Sequence, residues 1–132
     1  MTYQSLADII ENAGHRVALP GRQNVSLPAF TISPLGINLL PEFPQIAFEI
    51  CNVAARVPLD QNNPANWDTA RLMMYDLIRA FKGTQFAFDG EIEVDNNVDT
   101  DPPSIAYTMT VQFPGESICS PDTPAPDLEP EP

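Results

Sequence analysis

The sequence holds a single histidine, two cysteines and no lysine or arginine after Lys82. Each shortage closes off a class of chemistry. With His15 alone, a zinc site built on histidines lacks a second member, and none of the serines stands in the strand-turn-helix context of a nucleophile elbow. None of the six glycines falls in a phosphate-cradling loop. Cys51 and Cys119 make neither a disulfide framework nor a metal knuckle; two free thiols in a reducing compartment are expected, with a bridge between them as the alternative. No apolar run is long enough to span a bilayer, and the opening MTYQSLADII has neither the basic start nor the apolar stretch of a secretory leader. Neither export nor a membrane is expected.

What the chain has instead is acid and proline. The net charge is −12 over 132 residues, with 15 prolines. Met1–Lys82 carries seven acidic and six basic residues, whereas Gly83–Pro132 carries eleven acidic and none basic. Reading or gripping nucleic acid needs clustered Lys and Arg, so both roles are disfavoured, although a chain of this charge can stand beside DNA without adhering to it. The length suits one packed core. The expected division is a single domain over 1–115 and an extended acidic, proline-rich tail over 116–132, where PGESICSPDTPAPDLEPEP has few large apolar residues.

The stretch Asn66–Gly83, NWDTARLMMYDLIRAFKG, organises the rest. Asn66 is placed to cap a helix and Gly83 to end it in a left-handed turn. Between them Trp67, Ala70, Met73, Met74, Leu77, Ile78 and Phe81 recur at three- and four-residue spacing, with Asp68, Arg71, Asp76, Arg79 and Lys82 on the other side. Met73 and Met74 are core filler in this reading. A shorter helix carries Tyr3, Leu6, Ile9, Ile10 and Ala13, with Thr2 or Ser5 as cap, a Ser5/Asp8 version of the capping box, and Gly14 as stop. Strands are expected at Leu27–Ser33, Gln45–Val57, Thr84–Val94 and Ser104–Phe113, and a short edge strand at Val17–Leu19. The second has apolar residues on both faces and is expected to be central or covered twice. The last two alternate cleanly, each with one wet face, joined by the polar DNNVDTDPP. The fold class is α+β, two helices packed on a mainly antiparallel sheet.

Pro34–Pro44, PLGINLLPEFP, reads as a loop broken by proline and glycine. It holds Leu35, Ile37, Leu39, Leu40 and Phe43, either folded back on its own domain or offered to another subunit. Asp89, Glu91 and Glu93 are expected to project from one strand face at two-residue spacing, with Asp95, Asp99 and Asp101 close behind. As a glycosidase acid-base pair they lack a cleft and a sugar platform, and a solvated strand face is the simpler reading. Asp95, Asn97, Asp99 and Asp101 have calcium-loop spacing, but Thr100 occupies the position that wants glycine and Ala106 the one that wants a bidentate glutamate. His15 is read as a surface residue. No catalytic, cofactor or metal residue emerges.

The order of LADIIENAG, LPAFTIS, QIAFEICNVAARV, NWDTARLMMYDLIRAF and the pair TQFAFDGEIEV and SIAYTMTVQF resembles the tail terminator proteins of long-tailed, siphovirus-type bacteriophages, similar to the lambda-type minor tail protein that caps the tail tube. The resemblance runs from about Ser5 to Gly115 and rests on pattern, without an invariant motif; tail tube and head-closure proteins share it in part. It implies a structural virion protein without catalysis or cofactor. The implied assembly is a homo-oligomeric ring, usually of six subunits, in the neck of the tail, put together in the host cytoplasm. Its implied partners are copies of itself, the tail tube protein and the head-closure connector, with DNA only passing through the lumen. On that reading Asp89, Glu91, Glu93 and Asp95 face the channel, and Leu35, Ile37, Leu39, Leu40 and Phe43 meet neighbouring subunits. A monomeric acidic adaptor that engages a basic partner is the alternative of a different class.

Overall fold

The computed structural model describes residues 2–19, 26–39, 46–59, 64–97 and 104–117. Helix α1 spans Tyr3–Asn12 and opens with a capping box. The Ser5 amide donates to Thr2 Oγ1 (3.1 Å) and the Thr2 amide to Ser5 Oγ (3.2 Å), so two otherwise orphaned donors satisfy each other. The box is therefore Thr2/Ser5 and not Ser5/Asp8; Asp8 Oδ1 instead accepts from the Gln4 side-chain Nε2 at 2.9 Å. Gly14, at φ +93°, ends the helix in the conformation that only glycine adopts without cost. Strand β1, Val17–Ala18, follows.

Strand β2 covers Ala29–Leu39, which corrects the expected loop after Ser33. The chain passes Pro34 because the ladder to the next strand slips between Pro34 and Gly36. A bulge is one of the few places in a sheet where a residue without an N–H and a residue without a side chain do no harm. Beyond it Ile37, Asn38 and Leu39 resume pairing with Glu49, Phe48 and Ala47. Leu40 and Phe43 lie outside the described residues, as do the Asp99 and Asp101 part of the polar connection, Cys119 and residues 118–132 of the expected tail, whose first two residues end the last strand.

Strand β3, Ile46–Pro58, is central: it pairs antiparallel with β2 on one side and with β5, Ser104–Ser117, on the other. Strand β4, Ala87–Asn97, pairs antiparallel with β5 and forms the far edge. Among the described residues the sheet has five strands in the order β1-β2-β3-β5-β4, antiparallel except for the two-residue β1. The chain is thus mixed α and β with a mostly antiparallel sheet.

Helix α2 spans Ala65–Ala80 and lies, with α1, on one face of that sheet. Pro64 and not Asn66 stands at its cap, with φ −62° already suited to helix entry. Asn66 Nδ2 donates instead to the Pro58 carbonyl (2.9 Å), tying the helix start to the end of β3. Gly83, at φ +79°, follows the C-terminus as expected. Ala70, Met73, Met74, Leu77 and Phe81 are buried; Trp67 and Ile78 are half-buried at the margins of the stripe. Beneath them lie Phe30, Ile32, Cys51, Val53, Ala55, Val57, Ile105, Met109, Val111 and Phe113, which are side chains of the helix-covered sheet face. Aromatic contacts close the core at one end. Phe86 packs on Phe81 (5.6 Å between centroids) and Phe113 (5.2 Å), and Tyr3 meets Phe113 edge-on at 5.3 Å.

His15 is not a free surface residue. Its ring packs edge-on against Phe30 at 5.4 Å, and Nε2 lies 3.0 Å from Asp76 Oδ2 on α2. An ionised carboxylate only accepts, so the ring proton faces it. The residue after the first helix thereby fastens the second.

Candidate functional site

Residues paired across neighbouring strands share a face, so the register sorts the sheet into two surfaces. One carries the core. The other carries Thr31, Ser33, Asn52, Arg56, Thr108, Thr110 and Gln112, and no described element covers it. Arg56 lies across three strands of this open face: Nε donates to Thr31 Oγ1 on β2 (3.1 Å), and a terminal nitrogen donates to Ser104 Oγ on β5 (3.3 Å). Thr110 Oγ1 donates to Asn52 Oδ1 at 3.4 Å. The guanidinium and its two hydroxyl partners form a polar patch across the three strands. Strand β3 is central, as expected, and on its open face the half-buried Phe48 and Ile50 and the buried Ala54 stand beside Asn52 and Arg56.

The acidic residues of β4 border this face. Glu93 stands opposite Thr108 and is exposed. Asp89 pairs in register with Thr110, and Asp95 with Ala106. Between Asp89 and Glu93, however, the ladder slips, with Gly90 at φ +72°, so Glu91 sits in the bulge, exposed and out of register. The even two-residue spacing of Asp89, Glu91 and Glu93 thus does not produce an even row, because a left-handed glycine at that point lets the strand take extra residues. The slip leaves the apolar residues on their expected side, because β4 takes four steps there to two of β5: Phe88 and Val94 both pair on the helix-covered face, and Ile92 packs against the core. Phe86 precedes the strand and is buried, whereas Phe88 and Val94, on the helix side, remain exposed at the edge.

At the opposite edge Leu35, Ile37 and Leu39 are all more than half exposed. They neither fold back into the core nor form a loop; they stand on the far half of β2, past the reach of the helices.

Burial, with Glu49 nearby, pushes the Cys51 thiol up to about 12, so it is an inert, uncharged core residue. Burial also raises the Tyr3 phenol, with Cys51 and Glu49 adding to it. A hydrogen bond from His15 holds Asp76 below the usual carboxylate range, opposed by partial burial and helped by Arg79. Among the described residues no group of three His, Cys, Asp or Glu side chains is gathered to hold a metal ion. A shallow cavity of about 180 Å³ between α1 and β1 is lined by Gln4, Ala7, Glu11, Val17 and Leu19, and Glu11 is its one ionisable group. No described helix is long and apolar enough to cross a membrane. What sequence reading missed was Arg56, since a lone arginine inside an apolar strand carries no motif; its signal is the threonine and serine at cross-strand positions. No protein-family model matches the sequence, and no curated protein is similar enough to it to count as a relative.

Proposed function

We propose that this chain is a structural virion subunit, a tail terminator that forms a homo-oligomeric ring at the head-proximal end of a phage tail tube. There it stops tube growth and joins the tail to the head-closure connector. The observation that carries the reading is the two-sided sheet. Helices occupy one face, and the other is open, polar and bordered by the acidic strand β4. An open face of hydroxyls, amides and carboxylates suits the wall of a channel through which DNA slides. Like charge keeps phosphate from adhering, and Arg56 is held by Thr31 and Ser104 at the distance of hydrogen bonds. The exposed apolar end of β2 suits a contact between subunits. The resemblance in element order supplies the rest: a ring of six, the tube protein and connector as partners, and the neck of the virion as location.

Sedimentation and electron microscopy of the purified chain test the reading. Closed rings of uniform size are expected. A monomer that persists at high concentration, with no ring in micrographs, overturns it and leaves the acidic adaptor as the better account.

A further inference from the structure

Both edges of the sheet are open among the described residues. Strand β1 covers β2 only at Phe30 and Thr31, leaving Ile32–Leu39 without an outer partner, and β4 has a neighbour on one side only. Unpaired strand edges template further strands unless something blocks them. Charge, proline and bulges are the usual blocks; Pro34 and the slip beside it interrupt the β2 edge, but Ile37–Leu39 beyond them are regular strand, and β2, AFTISPLGINL, has no charged residue.

We infer that the free half of β2 in one subunit adds to the free edge of β4 in the next, so that the sheet continues from subunit to subunit; the inference rests on the ring reading above. Three observations select this junction. First, the exposed apolar residues on the two edges lie on the same side. Ile37 and Leu39 pair with Glu49 and Ala47, Phe88 with Val111 and Val94 with Tyr107, all on the helix-covered face. Joining the edges sets these apolar side chains beside each other and keeps the polar face unbroken across the joint. Second, three successive antiparallel pairings make β2 and β4 run in opposite directions. Copies related by rotation about an axis along the strands therefore meet antiparallel, the pairing already used from β2 to β4. Third, charge excludes one rival. Pairing β4 with β4 would bring Glu91 and Glu93 of both copies together, whereas β2 offers a neutral edge to an acidic one.

Asn38 provides the test. It is exposed, it pairs with Phe48 and so lies on the polar face, the face on which β4 presents the exposed Glu93 to the proposed joint. The full-length chain and its Asn38→Glu and Asn38→Lys variants are compared by sedimentation velocity over a concentration series at low salt, with thermal melts to confirm folding. The glutamate variant is expected to need a roughly tenfold or higher concentration to assemble, and the lysine variant no more than the parent. The gap should close as salt is added. Leu72→Glu, on the exposed outer side of α2, should leave assembly unchanged. Equal weakening by both Asn38 variants would mean that β2 faces its own copy about a two-fold axis, and no change in either would place the joint elsewhere. Both results overturn the inference while rings of the parent protein uphold the ring reading. A parent chain that never assembles removes the two together.

Discussion

The two faces of the sheet are made by the same strands, and they obey different rules. On the helix side, residues two apart on β3 (Cys51, Val53, Ala55, Val57) are all buried beneath α1 and α2, and each is replaceable only by something of its own volume. On the open side, between them, Ala54 is buried while Asn52 and Arg56 meet hydroxyls, and of these only Arg56 is held by more than one strand. A single strand therefore supplies stability with one half of its side chains and a usable surface with the other. Most of the helix side is committed to the core, and the positions left exposed for contacts are Ile37, Leu39, Phe88 and Val94 at its edges and the polar residues of the open side.

The sharpest way to break that contrast is to truncate one residue on each side. Leu77→Ala, at a fully buried position on α2, should cost about 2–5 kcal/mol, and Thr110→Ala on the open face within about 0.5 kcal/mol of nothing. Urea denaturation with an unchanged slope measures both. A Thr110 variant as damaging as the Leu77 variant would show that the open face is structural after all.

The helix side was also the legible one. The stripe from Ala70 to Phe81 and the alternation of Ile105, Met109, Val111 and Phe113 write burial directly into the sequence, because a core face must repeat with the period of its element. The edges were harder to read. Pro34 and Gly36 punctuate a sequence like a loop, yet here they mark a bulge inside β2, and the pairing that carries the strand past them comes from β3, far along the chain. Gly90 misled in the opposite sense: the alternation around it looked regular, while the backbone slips there and carries Glu91 out of the row. Local propensity cannot show such slips, since a bulge is settled by what the partner strand demands. Likewise Asn66 has the chemistry of a cap, but Pro64 begins the helix and leaves the asparagine free to hold β3.

A smaller effect sharpens the comparison on the open side. Arg56→Met keeps the stem and removes the donors to Thr31 and to the buried hydroxyl of Ser104. Because the guanidinium is partly solvated, the loss should be about 1 kcal/mol, well below the Leu77 variant and above Thr110→Ala. Lysine at this position should recover little of it, having no planar fork to reach two strands at once. The same urea midpoints decide: a neutral Arg56→Met would mean that the three strands are held by their ladders alone.

The smallest expected effect lies where the first helix is joined to the second, and its sign follows from Asp76. The hydrogen bond from His15, with Arg79 adding to it, lowers the folded-state pKa of this carboxyl below its ordinary value of 3.8. A carboxyl that gives up its proton more readily when folded stabilises the fold above its unfolded pKa. That contribution is lost as pH falls through the lower, folded value. The side chain is 40 % exposed, so solvent and salt screen most of the interaction. In melts from pH 6 down to pH 3, the parent should stand slightly above Asp76→Asn at the upper end, and the two should converge at the lower. Because the ring of His15 also rests on Phe30 in the core, convergence there would assign the pH dependence to the carboxylate alone. A gap that stays constant across the range would instead assign the variant's effect to packing around His15.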